Sequence, residues 1–242
     1  MIDNGSLPTV ACHVFSSWNI TLVDACSFGR LGLEAALLKS ASPFPLKVRG
    51  LGSLVGPISV MSPFKHADKE HRTREERCLV VRLPEPPQEA MLMLLSLGDV
   101  PLNIYSHVLV MSSVNPAIIR RFLLGVGVNR HVRILDDRLP ISALCEAIIP
   151  SVEQGSTSSV TWFGEMFHVR LQTLFTPGER RALWYVLKGV SMYQQVLRSQ
   201  VSNKTLYNQR HTALIKLRVR GVNDLIRQFL FRRKFLQNGN YA

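Results

Sequence analysis

Apolar residues follow two rhythms along this chain. Up to about residue 150, short runs rich in Val, Ile and Leu alternate with stretches at helical spacing. The runs at 20–23, 46–51, 78–83, 108–111 and 132–135 have the length and composition of buried strands. A helical pattern through Leu31, Leu33, Ala35, Ala36, Leu37 and Leu38 follows the first, and 89–97, 116–124 and 141–149 follow later ones. This alternation predicts a doubly wound α/β sheet. After 46–51 the pattern fails. Gly56, Pro57 and Pro63 interrupt 52–77, and 65–77 is a mixed-charge run, so a solvated loop or exposed helix is expected, with a partner-binding insertion as the alternative.

Beyond residue 170 the pattern is helical throughout. Thr176-Pro177-Gly178-Glu179 is a helix start, with Thr as cap, Pro at the first position and Glu closing a capping box. Ala182, Leu183, Val186 and Leu187 continue it, and Gly189 stops it. A second helix is predicted over 191–199, burying Val196 and Leu197. Ser202 caps a third, with Leu206, Leu214 and Leu217 inward, and Asn223 caps a fourth carrying Leu225, Ile226, Phe229 and Leu230. Helices two and three form a helix-turn-helix. The Ser/Gly/Thr-rich stretch 151–159 is a linker by composition. The predicted organisation is an α/β domain at 13–150, a linker at 151–172 and an all-α domain at 173–242.

Charge separates these parts. The chain has 242 residues and a net charge of +12. From residue 171 on there are thirteen basic residues against Glu179 and Asp224, so this end carries +11, while the first 170 residues hold sixteen bases and fifteen acids. A near-neutral body with a strongly basic end is the electrostatic pattern of a nucleic-acid-binding module. A basic membrane-surface segment would instead present one amphipathic helix. The least charged stretch, 100–119, is broken by two prolines, so no transmembrane segment is expected, and the first residues lack the basic start of a signal peptide.

Over 174–226 the chain resembles the LuxR-type (FixJ/NarL-like) four-helix DNA-binding domain. The resemblance lies in Thr176-Pro-x-Glu179-Arg180, Leu183, Gly189-x-Ser191, Ser202-x-Lys204-Thr205-Leu206, Lys216-Leu217-x-Val219 and Leu225. Three departures alter the scaffold: Gln194-Gln195-Val196 stands for the usual Glu-Ile-Ala, Ser199 for a Leu, and Arg218 for a Gly after the third helix. The resemblance implies that helix 203–217 enters the major groove of duplex DNA. Lys204, Tyr207, Asn208 and His211 then form its outward stripe. The amide of Asn208 suits adenine and His211 suits guanine or phosphate. Lys204 and Thr205 suit phosphates at the helix start, and Arg210, at the stripe's edge, suits the backbone. Arg232-Arg233-Lys234 is expected to be a plain cationic helix end. A homodimer, or a heterodimer with another LuxR-type regulator, is implied because one helix reads only a half-site, and the apolar face of the fourth helix is the place to seek its contacts, with packing in the chain's own core as the alternative.

The α/β part resembles a response-regulator receiver, most closely at Leu22-Val23-Asp24-Ala25-Cys26-Ser27-Phe28-Gly29-Arg30-Leu31-Gly32-Leu33. The paired architecture is similar to that of auxiliary regulators of capsule synthesis. Receiver chemistry needs carboxylates around a hard Mg²⁺. Here Asp24 has Ala25 as neighbour, Arg82 stands at the expected phosphoacceptor position, the hydroxyl position is Ser112, and Asp136 replaces the usual Lys. No phosphorylation is therefore expected, and an Arg82–Asp136 ion pair is predicted to fill the pocket.

No enzyme is indicated. Gly-rich phosphate loops, HExxH and GxSxG are absent from the sequence, and its seven histidines are scattered. Cys12, Cys26, Cys78 and Cys145 show no metal-ligand spacing and are expected to be buried, reduced thiols. The expectation is thus a phosphorylation-independent bacterial DNA-binding transcription regulator, cytoplasmic, without cofactor, metal or catalytic residue. Two alternatives stand beside it: a protein that modulates another regulator without binding DNA, and an ordinary phospho-activated regulator.

Overall fold

The computed structural model describes residues 17–54, 75–128, 132–149 and 174–230. The expected linker, most of the 52–77 interruption, Cys12, His66, His71, His131 and Arg232-Arg233-Lys234 lie outside the described residues.

Five parallel strands form one sheet: β1 (Ser17–Val23), β2 (Leu46–Leu51), β3 (Glu75–Arg82), β4 (His107–Met111) and β5 (Val132–Leu135), in spatial order β2-β1-β3-β4-β5. That order is the flavodoxin-like doubly wound arrangement. β1 is buried along nearly its whole length because helices cover both faces. Trp18, Ile20 and Leu22 point to one layer with α1 (Ser27–Lys39) and α4 (Ile141–Ile148), whereas Val23, Leu79 and Val81 point to the other with α2 (Pro87–Leu97) and α3 (Pro116–Gly125). β2, at the edge, is half-exposed. Each predicted strand and helix of this part is present within a few residues.

Local chemistry sets the helix starts. Asn115 accepts a hydrogen bond from the Ala117 amide (3.0 Å) just before Pro116 opens α3. Cys26 caps α1, its Sγ accepting from the Gly29 amide at 3.4 Å. That role leaves Cys26 exposed, against the expectation of a buried thiol, while Cys78 and Cys145 are buried. Burial pushes the Cys78 thiol well above its ordinary pKa, so it stays protonated.

Four helices follow: α5 (Pro177–Leu187), α6 (Met192–Ser199), α7 (Asn203–Lys216) and α8 (Val222–Leu230). The predicted capping box is formed, with the Thr176 hydroxyl accepting from the Glu179 amide (3.2 Å) and the Glu179 carboxylate from the Thr176 amide (2.9 Å). Gly189 ends the α5 turn in the left-handed conformation, φ 69°. Two details differ from expectation. Leu197 is exposed, and Gln195 is the buried residue of α6, because its amide donates to the Val190 carbonyl (2.7 Å). Asn223 is not the cap of α8. The helix begins at Val222, Gly221 accepts the Leu225 amide, and the Asp224 carboxylate takes the Arg220 amide (3.0 Å).

The helical part packs against the sheet-bearing part through one shared core. Leu183 and Leu187 of α5 and Leu225 and Phe229 of α8 join the cluster that contains Met91, Leu95 and Phe122 of α2 and α3. Arg180 pairs with Asp99 and donates to the Leu95 carbonyl (2.5 Å), Arg121 donates to the Leu217 carbonyl (3.2 Å), and the Phe175 amide to that of Gly125 (2.7 Å). A Cβ on Gly125 would collide with the Phe175 ring, so the close approach requires glycine. No helix among the described residues is long and apolar enough to cross a membrane.

Candidate nucleic-acid interface

α6 and α7 are joined by a turn at 200–202 in which Gln200 adopts the left-handed conformation (φ 54°). Ser202 then caps α7, its hydroxyl accepting from the Thr205 amide (3.1 Å) and lying 2.9 Å from the Thr205 hydroxyl. Leu206, Ala213 and Leu214 face inward. Fourteen residues make a rod about 21 Å long.

Lys204, Thr205, Tyr207, Asn208 and His211 are all exposed on α7, and Arg210 is half-buried. Three of these side chains are organised by one another. The Tyr207 and His211 rings stack, with centroids 6.2 Å apart and planes 9° from parallel. The Arg210 guanidinium carbon lies 5.5 Å from the Tyr207 centroid. Tyr207 is therefore a flat plate that gathers a guanidinium and an imidazole beside it. The structure draws Arg210 into this group, whereas the sequence placed it at the edge. Thr205 is partly committed to the cap, so its hydroxyl is a weaker candidate for an outside contact than the Lys204 ammonium.

The acids of this segment do not neutralise the exposed α7 face. In 174–230 the acids are Glu179 and Asp224, and both are engaged internally. Glu179 is buried and receives the Lys216 ammonium at 2.6 Å, while Asp224 accepts the Arg220 amide. Lys216 also donates to the Leu174 carbonyl (2.7 Å). The last turn of α7 is thereby tied to the capping box of α5, which fixes the axis of the helix. Sequence reasoning treated Glu179 only as a cap. Its second role depends on a contact 37 residues away, which has no local signal.

A second cluster gathers at the carboxyl ends of the strands. Asp24, Arg82, Ser112 and Asp136 end or directly follow β1, β3, β4 and β5. The predicted Arg82–Asp136 pair is not formed. Arg82 Nη1 lies 3.5 Å from Asp24 Oδ2, and its Nε 3.9 Å from Asp137 Oδ2. Asp136 instead takes the Arg138 guanidinium through two 3.1 Å contacts. The cause is local: Asp136 Oδ1 also accepts the Arg138 amide (3.1 Å), an Asx turn that aims the carboxylate back along its own chain. Asp24 is buried and additionally accepts the Cys26 amide (2.8 Å). The buried Ser112 hydroxyl accepts the Val114 amide (3.1 Å).

No family model matches the sequence, and no curated protein matches it. Solved response-regulator chains align over most of the length. RcsB from Salmonella enterica serovar Typhimurium, bound to promoter rprA in the presence of phosphomimetic BeF3-, is 15% identical over 88% of this chain and 98% of that one, with TM-score 0.43. A structure of the Salmonella typhimurium RcsB response regulator is 16% identical over 89% and 98%, with TM-score 0.48. Full-length FixJ from B. japonicum is 14% identical over 88% and 95%, with TM-score 0.34. The fold assignment rests on the strand order and the helix caps rather than on these likenesses.

Proposed function

We propose that this chain is a phosphorylation-independent bacterial DNA-binding transcription regulator, acting in the cytoplasm, that reads one half-site of a two-fold operator through α7. The observation that carries the reading is the exposed basic and polar face of α7 in a segment whose acids are both internally engaged. Lys204 contacts phosphate near the helix start, with Thr205 beside it. Asn208 reads adenine, and Tyr207 offers an apolar plate that suits a thymine methyl while holding Arg210 and His211 for backbone or guanine. The two domains and their linker are taken as 13–150, 173–242 and 151–172.

Independence from phosphorylation is supported by Arg82. A guanidinium is no phosphoryl acceptor, and its position 3.5 Å from Asp24 sets a fixed cation where a divalent metal would need free carboxylate. The donor set does not fit Mg²⁺. The chain reads DNA as a homodimer or with another regulator of the LuxR type, and has no catalytic residue.

Genome-wide footprinting with and without candidate partner regulators tests this reading. Protected sites with half-sites separated by about 10 base pairs are expected. Capture of a partner with no footprint under any condition would instead favour a modulator that leaves DNA alone. Stable labelling by acetyl phosphate would overturn the assignment of Arg82.

A further inference from the structure

α7 runs into a turn whose residues alternate inward and outward. Leu217 and Val219 are buried, while Arg218 and Arg220 are exposed. The backbone of this turn is held at each residue. The Arg121 guanidinium of α3 donates to the Leu217 carbonyl (3.2 Å). The Arg218 amide donates to the Ile215 carbonyl (2.8 Å) and the Val219 amide to the Leu214 carbonyl (3.0 Å). The Arg220 amide donates to the Asp224 carboxylate (3.0 Å).

The two arginine side chains take no part in this. Among the described residues neither guanidinium has a hydrogen bond or an ion pair. The ordinary service of a cation at a helix end is already supplied by Lys216, in the last turn of α7. Arg218 moreover holds the left-handed conformation, φ 58°, which costs a residue with a side chain more than it costs glycine. The fold uses that backbone and makes no use of the side chain. A strained position bearing an exposed, unpartnered cation points to a task outside the chain.

We propose that Arg218 and Arg220 are a second phosphate-binding point for duplex DNA, at the opposite end of α7 from Lys204. The proposal rests on the reading of α7 as the helix that enters the major groove. Lys204 lies in the first turn of α7, and Arg218 follows just after its last residue, Lys216. The rod between them, about 21 Å long, exceeds the groove's width of about 12 Å. With its first turn against one phosphate strand, the helix brings the residues after its last turn level with the far wall of the groove. A guanidinium fork matches two phosphate oxygens, and two such forks on a pinned turn meet a phosphate with little ordering left to do. Phosphate contacts at both ends fix the tilt of α7, and with it the register in which Tyr207 and Asn208 face the bases.

Because phosphate contacts are independent of sequence, the test needs no operator. The full chain is titrated by fluorescence anisotropy against a mixed-sequence duplex of about 20 base pairs, two helical turns. Arg218→Gly and Arg220→Gln are each expected to weaken binding and to reduce the slope of log affinity against log salt by about 0.9. Between about 50 and about 200 mM salt, each variant then loses about three- to fourfold less affinity than the wild type does. Arg218→Gly also unfolds at a higher urea concentration than the wild type, so its weaker binding does not come from a poorer fold. Arg218→Lys keeps the charge and the slope. Arg49→Gln, which removes an exposed arginine of β2, leaves affinity and slope unchanged. Arg218→Gly combined with Lys204→Ala lowers the slope by about twice as much as either alone, because the two meet separate phosphates.

A slope lowered by Lys204→Ala but unmoved by Arg218→Gly and Arg220→Gln overturns the proposal and leaves the DNA reading standing. An equal fall with Arg49→Gln marks an effect of bulk charge and overturns it too, as does a double variant no lower than the single ones. Slopes unmoved by all of these changes, Lys204→Ala included, remove the DNA reading and this proposal with it.

Discussion

Phe122 of α3 and Phe229 of α8 meet edge to face, with ring centroids 5.6 Å apart and planes at 90°. Both rings are buried, and the contact joins the sheet-bearing part of the chain to its last described helix. Phe229→Ala is expected to lower stability by about 3–4 kcal/mol, as for other buried phenylalanines. A double-mutant cycle with Phe122→Ala should show about 1 kcal/mol of coupling. Because both parts share one core, urea unfolding followed by tryptophan fluorescence and by circular dichroism should give coincident single transitions.

Arg82 gives a second expectation. Removing its charge leaves the buried Asp24 carboxylate facing the Cys26 amide alone. Arg82→Gln should cost about 1–3 kcal/mol, the lower end reflecting a guanidinium that is one-third exposed. Denaturation cycles should show coupling of Arg82 to Asp24 and none to Asp136.

Arg218 follows α7 in the left-handed conformation, φ 58°, at the position where LuxR-type domains usually have glycine. A side chain there is strained by about 1 kcal/mol or more, partly offset by the entropy that glycine loses on folding. Arg218→Gly is therefore expected to stabilise the chain by about 0.5–1 kcal/mol in urea unfolding, although it removes a positive charge.

His107 packs against Trp18 with ring centroids 5.0 Å apart. Burial pushes its imidazole below the ordinary value of 6.5, and Arg133 adds to this while Glu76 opposes it. The folded chain thus disfavours the protonated form. Its stability contribution is complete above about pH 6.5, where unfolded histidine is neutral, and is lost as pH falls below that toward the lower folded value. The melting temperature should drop between pH 7 and pH 5, and His107→Gln should flatten the drop.

Much of this architecture was legible in the sequence, for physical reasons that can be named. The strands at 46–51 and 132–135 begin and end where the apolar runs do. The start of α5 was readable because a capping box is a local device, made by side chains three residues apart. What escaped depends on distance or on a single step in register. Asp136 and Asp137 are adjacent, and a local Asx turn decides which of them is left for Arg82. α6 has eight residues, too few for its period to separate a buried Gln195 from an exposed Leu197. The apolar face of α8 announced that something covers it, but not that α3 does. The α7 face was placed correctly as exposed, whereas the Tyr207 plate that gathers Arg210 and His211 depends on side-chain conformations that spacing does not supply.

The claim that α7 reads duplex DNA is tested most directly by titrating a footprinted operator with wild type, Lys204→Ala and Tyr207→Ala at several salt concentrations, followed by fluorescence anisotropy. Both variants are expected to bind more weakly, Tyr207→Ala chiefly on the operator and Lys204→Ala about equally on operator and unrelated duplex. The lysine change should also reduce the slope of log affinity against log salt by about 1. Unchanged affinities and an unchanged slope for both variants would contradict the account.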